Sequence, residues 1–458
     1  MSSSGRQAQP PLEFLPPTYN ALVRWGFAQL LPLWMRWQMG LEQIEGGHLE
    51  RLVQAYEQFQ QGQARILLAF RHPSTDDPLC MGYLLWHLVP RQARQMGVKL
   101  KLPIHSYFLY DRGIPLWAGD GVGWLFGQLG GSSIMRGKLD TQALRAAREL
   151  LVRGEFPLAA APEGATNNQS ELVSPLEPGI AQMGFWCLED LIKAGRLEEV
   201  LIIPIGVQYS LLKPSWCKLG QVLKQLETQA GCQPPTPAHD PESLYQRLFH
   251  LATHLLSIIE RFYVASYHIT IPELPPCQGP NQELATRLKR LLDIVLHVAE
   301  EFFGIKPSEN LVDRCRRVEQ AAWERMFRQD LEQLSPVERG FANWLAQEAE
   351  LRLRHMRLAE RFTSITGHYV REKNSPDRFA EVLFILARTL CWIEDKPQPD
   401  SLFLGPRRVR LTVAPVIPLR EYWPEYQQNR RQARQVVQTV TAKIGQSYEE
   451  IIASKNDR

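Results

Sequence analysis

Between residues 64 and 212 the chain alternates short apolar runs with longer stretches of helical periodicity, and this alternation restricts the possible fold more than any other feature. The strand-like runs are 64–70, 106–110, 133–135, 156–160 and 200–207. Helical spacing marks 78–95, 122–129, 141–153 and 178–194. Such a rhythm predicts an α/β sheet flanked by helices. Its apolar share of 44% and charged share of 22% are those of a folded globular chain. At 458 residues the chain has room for two or three domains.

After residue 212 the character changes. A proline-rich polar loop over 231–240 leads into helical patterns at 243–263, 282–303, 310–333, 336–363 and 376–392. The strand signal returns in Arg408-Val409-Arg410-Leu411-Thr412-Val413, and a charged helical stretch over 425–453 follows. A lone strand on a helical domain would leave its backbone groups unpaired, so this last strand is expected to rejoin the first sheet. The predicted organisation is a helical segment over 1–63, a core over 64–212, a large mostly helical insertion over 213–405, and a returning strand and helix over 406–458.

A formal charge of +3 gives no footprint for nucleic acid. The seven cysteines are odd in number and form no C-x-x-C pair, which argues against a disulfide framework or a zinc cluster and for a reducing, cytoplasmic setting. No metal ligand cluster is visible. The N-terminus lacks the basic-then-apolar pattern of a signal peptide. Residues 21–39 carry Trp25, Phe27, Trp34 and Trp37, but Arg24, Arg36 and Pro32 break the run that a membrane span needs. Two readings stay open for it: a helix lying in the headgroup layer of a membrane surface, or an aromatic helix packed on the protein's own core.

Chemistry concentrates at strand ends. His72 and Asp77 stand five positions apart where the first strand gives way to a helix. A carboxylate there can fix an imidazole in one tautomer and leave the other nitrogen free to take a proton. Asp77 also precedes Pro78, which reads as an N-cap followed by proline at the first helical position. Pro162-Glu163-Gly164 ends another strand-like run and can face a crevice, or can be an ordinary tight turn. The glycine-rich stretch 113–137 fails the dinucleotide fingerprint, because Phe126 stands where the third glycine belongs. Arg136 closes that stretch and could clamp an anion. Pro204 inside an apolar run predicts an edge strand or a bulge, and could shape the wall of a binding site.

Taken in order, these residues resemble the motifs of the glycerolipid acyltransferase family, which includes the lysophosphatidate acyltransferases. The family's His-x-x-x-x-Asp matches His72 to Asp77. Its second motif, a small-apolar strand ending in arginine, resembles Gly130 to Arg136. Phe-Pro-Glu-Gly-Thr-Arg aligns with Ala161-Pro162-Glu163-Gly164-Ala165-Thr166, and the proline-bearing fourth motif with Pro204. The resemblance implies transfer of a fatty acyl group from acyl-CoA or acyl-ACP (acyl carrier protein) to a glycerolipid hydroxyl, with no bound cofactor. It makes His72 the base and Asp77 its orienting partner. Pro162, Glu163 and Gly164 would place the acceptor, and Arg136 would meet its anionic group. A membrane-surface enzyme acting on a lysophosphatidate-type acceptor in phospholipid metabolism is the expectation. The family's Thr-Arg is Ala165-Thr166 here, which opens the alternative of a non-phosphate acceptor, a glycolipid or a lipid alcohol. A lipid-binding protein without turnover is the remaining alternative.

Overall fold

The computed structural model describes residues 7–456, apart from 136–139, 234–239, 309, 363–367, 400, 401 and 403. Two compact units emerge. One comprises 14–135, 140–213 and 405–458; the other comprises the described residues of 1–13 and 214–404.

Among the described residues, the first unit is built on an eight-stranded sheet: β1 (Leu41–Gly47), β2 (Ala64–Phe70), β3 (Tyr107–Asp111), β4 (Gly131–Ile134), β5 (Leu158–Ala160), β6 (Glu199–Leu211), β7 (Arg407–Val413) and β8 (Ile417–Pro418). Their order is β1-β7-β6-β2-β5-β3-β4, with β8 paired to β6. Strands β6, β2, β5, β3 and β4 run parallel, whereas β7 lies antiparallel to β6 and carries β1 parallel on its far side. The mixed α/β class agrees with the expectation, and Arg407–Val413 sits beside β6.

Strand β2 is buried along its whole length, as a strand covered by helices on both faces must be. Ile66, Leu68 and Phe70 enter one core with Leu31 and Met35 of the helix Ala21–Trp37, Leu52 and Tyr56 of Leu49–Gln60, and Cys80 and Leu84 of the helical stretch 77–96. Leu67 and Ala69 enter the other core, with the helices Thr141–Arg153, Gly179–Lys193 and Arg430–Asn456. The period of two along the strand thus divides its side chains between two helical layers.

Three expectations are corrected. The N-terminal segment is not all helical: β1 lies between the helices Ala21–Trp37 and Leu49–Gln60. Its sequence Leu-Glu-Gln-Ile-Glu-Gly-Gly shows almost no alternation, because an edge strand buries little. Pro204 marks neither an edge nor a bulge, since β6 has β2 on one side and β7 with β8 on the other, and its register with β2 runs unbroken through Pro204. Its carbonyl accepts from Ala414 N at 2.9 Å. A residue's N and O point to the same side of a strand, so the missing N–H faces the break between β7 and β8. Finally, the helix expected over 310–333 ends at Met326. Phe327 leaves in extended conformation and bridges to Gln9.

The second unit is helical: Trp216–Gln229, Pro241–Tyr267, Pro280–Phe303, Leu311–Met326, Pro336–Phe362 and Pro376–Ile393 are its long members. Buried ion pairs tie them, Arg247 with Glu227 at 2.6 Å and Arg314 with Glu300 at 2.8 Å.

Candidate active site

Four adjacent parallel strands, β2, β5, β3 and β4, deliver their C-terminal ends to one edge of the sheet, where an open α/β sheet forms its crevice. His72 follows β2 by two residues, and Glu163 follows β5 by three. Arg136 lies outside the described residues.

His72 and Asp77 meet. The imidazole Nδ1 stands 3.1 Å from Asp77 Oδ2. The same oxygen accepts Ser74 N–H at 2.8 Å, so the turn closes on the carboxylate from its own backbone. Asp77 Oδ1 accepts the Tyr209 hydroxyl at 2.5 Å. Asp77 is fully buried, whereas the His72 side chain is 22% exposed. The cap position of the following helix is taken by Asp76, and Asp77 is the first helical residue, one place later than a simple N-cap reading expects. Its side chain turns back to the loop instead of capping.

Burial pushes the Asp77 carboxyl above the usual aspartate range; the donors His72, Tyr209 and Ser74 pull against that. Burial beside Asp77 drives Tyr209 well above its ordinary value, which keeps its proton on and makes it the donor. The Cys80 thiol is likewise pushed up by burial and by Asp77, and is inert as a nucleophile. With Asp77 accepting at Nδ1, the imidazole carries its proton there. Nε2 then holds the lone pair, and among the described residues it has no hydrogen-bond partner.

Glu163 faces inward. Its carboxylate accepts the His72 backbone N–H at 2.9 Å, Ser174 N–H at 3.1 Å and Arg71 Nε–H at 3.2 Å. Arg71, wholly buried, donates further to the carbonyls of Ser170 at 2.7 Å and Leu172 at 2.6 Å. The expected acceptor-facing carboxylate is therefore the clamp that fixes where His72 begins. Pro162 is buried, and its carbonyl accepts Glu177 N–H at 2.8 Å. Gly164 has φ +68°, a left-handed turn that a side chain would strain. Ala165 and Thr166 follow it, part-exposed and uncharged. Pro204 is buried in the sheet opposite Ala69, three residues before His72.

Sequence reasoning missed Arg71 and Tyr209. Arg71 had a signal: a cation in the residue before the histidine, at the end of a fully apolar strand, must find a partner if buried. Tyr209 had none, because only the length of β6 brings it back to Asp77.

Residues 50–208 match the family model described as Acyltransferase. No curated protein and no solved structure matches the chain. The matched span begins in the helix before β2 and ends in β6, so it contains the histidine, its carboxylate and the glutamate clamp. A histidine with one nitrogen fixed by a buried anion and the other open is the arrangement that removing a hydroxyl proton requires, and over residues 50–208 the chain carries an acyltransferase domain of the glycerolipid acyltransferase family.

Proposed function

We propose that this domain moves a fatty acyl group from acyl-CoA or acyl-ACP to a hydroxyl of a glycerolipid, with a lysophosphatidate-type acceptor. The observation that carries the reading is the His72–Asp77 pair with Nε2 open at the mouth of the sheet. The acceptor hydroxyl gives its proton to Nε2 while its oxygen attacks the thioester carbonyl. Asp77 holds the ring and balances the imidazolium. Collapse of the tetrahedral adduct breaks the carbon–sulfur bond, and the leaving thiolate takes the proton from Nε2. Glu163 acts through the His72 backbone. Arg136 keeps the role of meeting the acceptor's anionic group that the resemblance gives it.

The helix Ala21–Trp37 supports a place at a bilayer surface. Ala28, Leu31 and Met35 are buried, while Leu22, Trp25, Leu30, Leu33, Trp34 and Trp37 are 50–80% exposed. No acidic residue occurs between Glu13 and Glu42, and Arg24 and Arg36 lie in that span. Tryptophans with flanking cations suit a headgroup layer. The helix rests on the one that begins at Asp77. Pro32 cannot donate to the Ala28 carbonyl, and His87 Nε2 fills that place at 3.0 Å. Among the described residues, no helix is long and apolar enough to cross a membrane.

A second reading, transfer to an uncharged lipid hydroxyl, is favoured by Ala165 and Thr166 in the turn where the family carries its arginine. The purified protein, incubated with a radiolabelled acyl thioester and a panel of lysophosphatidate, glycolipids and lipid alcohols, separates the two. Label in lysophosphatidate, lost in His72→Ala and met with a raised KM in Arg136→Ala, supports the first. Label only in uncharged acceptors supports the second, and no transfer refutes both.

A further inference from the structure

The register of β6 is longer than its neighbour needs. Strand β2 ends at Phe70, opposite Ile205, but β6 runs on to Leu211 with β7 as its partner. That overhang lifts Tyr209 past the end of β2, on the same face as Ile203, Ile205 and Val207. There its hydroxyl meets Asp77 Oδ1. We infer that Tyr209 is a positioning residue for the His72–Asp77 pair, holding the oxygen that His72 does not use. The inference rests on the proposed role of that pair in proton transfer.

Two arrangements support a tuned contact over incidental packing. The Tyr209 backbone N–H donates to Ser170 Oγ at 3.1 Å, and the Ser170 carbonyl accepts from Arg71, so the loop that locks Arg71 also holds Tyr209. Arg407 of β7 lies over the Tyr209 ring at 5.6 Å and reaches Asp76 Oδ2 at 3.0 Å. The groups around the Asp77 carboxyl are His72, Tyr209, Cys80, Asp76 and Arg407. Within this set the Tyr209 hydroxyl is the sole donor to Oδ1 among the described residues. Without it the anion loses a donor in a site that water does not reach, and the pair is expected to take up its proton at higher pH.

The test follows the Asp77 carboxyl directly. Protein labelled at the aspartate carboxyl carbons is titrated by NMR, with Asp77→Asn assigning the signal. Tyr209→Phe is expected to move the Asp77 titration to higher pH. Tyr56→Phe, which removes another buried tyrosine hydroxyl of this unit, one that donates to the His105 carbonyl, should leave it in place. A difluorotyrosine at position 209, a stronger donor, should move it to lower pH. In the transfer assay, Tyr209→Phe should lower kcat by roughly tenfold with KM little changed, within the ~10²–10⁴-fold that a positioned base supplies. The same Asp77 titration in wild type, Tyr209→Phe and the fluorinated protein would overturn the inference. The titration needs no turnover, so a protein that transfers no acyl group would remove the acyl-transfer reading while the carboxyl signal still decides whether Tyr209 holds Asp77.

Discussion

Glu163 Oε1 accepts the backbone N–H of His72 at 2.9 Å across 91 residues of chain, and its carboxylate is at the same time the counter-ion of Arg71. One side chain therefore couples the stability of the sheet edge to the placement of the imidazole. In Glu163→Gln the buried guanidinium loses its counter-charge, and breaking such a pair costs about 3–5 kcal/mol. The variant is expected to melt well below wild type and to lose most of its transfer activity even at temperatures where it stays folded. Calorimetry beside the labelled-thioester assay checks both. A variant with wild-type activity would detach Glu163 from the site.

Asp77 carries its charge at a cost. Its folded-state pKa is raised by burial, so between the ordinary value of 3.8 and that higher value the native state binds more protons than the unfolded one. Stability then falls as pH rises through this window. Asp77→Asn removes the titration. The prediction is that wild type loses stability relative to Asp77→Asn as pH rises above 3.8, while the variant's kcat drops by about 10²-fold or more. Thermal melts across that range decide it, and parallel curves would refute the first half.

His105 has the opposite sign. It is 3% exposed, takes Trp86 Nε1–H on Nδ1 at 3.1 Å and stands with Nε2 3.0 Å from the Leu129 carbonyl. Burial lowers it from 6.5 to about 3. Below 6.5 the unfolded state binds the extra proton, so stability declines with acid by up to about 1.4 kcal/mol per pH unit. His355 in the helical unit, between the hydroxyls of Tyr263 and Tyr267 and lowered to about 4, adds a similar slope there. Urea unfolding of wild type and His105→Gln should show a shallower acid dependence in the variant.

The exposed face of Ala21–Trp37 predicts lipid partitioning. Trp25→Glu with Leu33→Glu should abolish flotation with vesicles of mixed neutral and anionic phospholipid. The packing through Leu31 and Met35 is untouched, so the melting temperature should stay within a few degrees, since exposed substitutions shift stability by about 0.5 kcal/mol or less. Wild type that stays out of the lipid fraction would end the membrane reading.

What the sequence showed was what burial dictates. Strand β2 and the helix Thr141–Arg153 were readable to the residue because their apolar spacing is set by two covering layers and one covering layer respectively. Strand β1 was hidden because its pairing is carried by backbone and by charges such as Glu45 beside Arg408 at 3.6 Å, which have no periodic signature. At the site, His72 and Asp77 were visible because five positions of one turn hold them together. The glutamate was visible too, but its direction was not. Only the fold shows that Arg71 waits behind the histidine for it.

Among the described residues strand β1 has a single partner, β7, and the two are brought together from opposite ends of the chain. A ribosome releasing this protein therefore makes the sheet's first strand about 366 residues before the strand that pairs with it, with the whole helical unit emerging in between. Until then the long edge of β6 stands open to any other strand in the cell, its second half unpaired. A nascent chain stalled after residue 213 would hold His72, Asp77 and Glu163 and still lack β7, the strand that pairs with the second half of β6, which makes premature termination in the helical unit a route to aggregation more than to a smaller working protein.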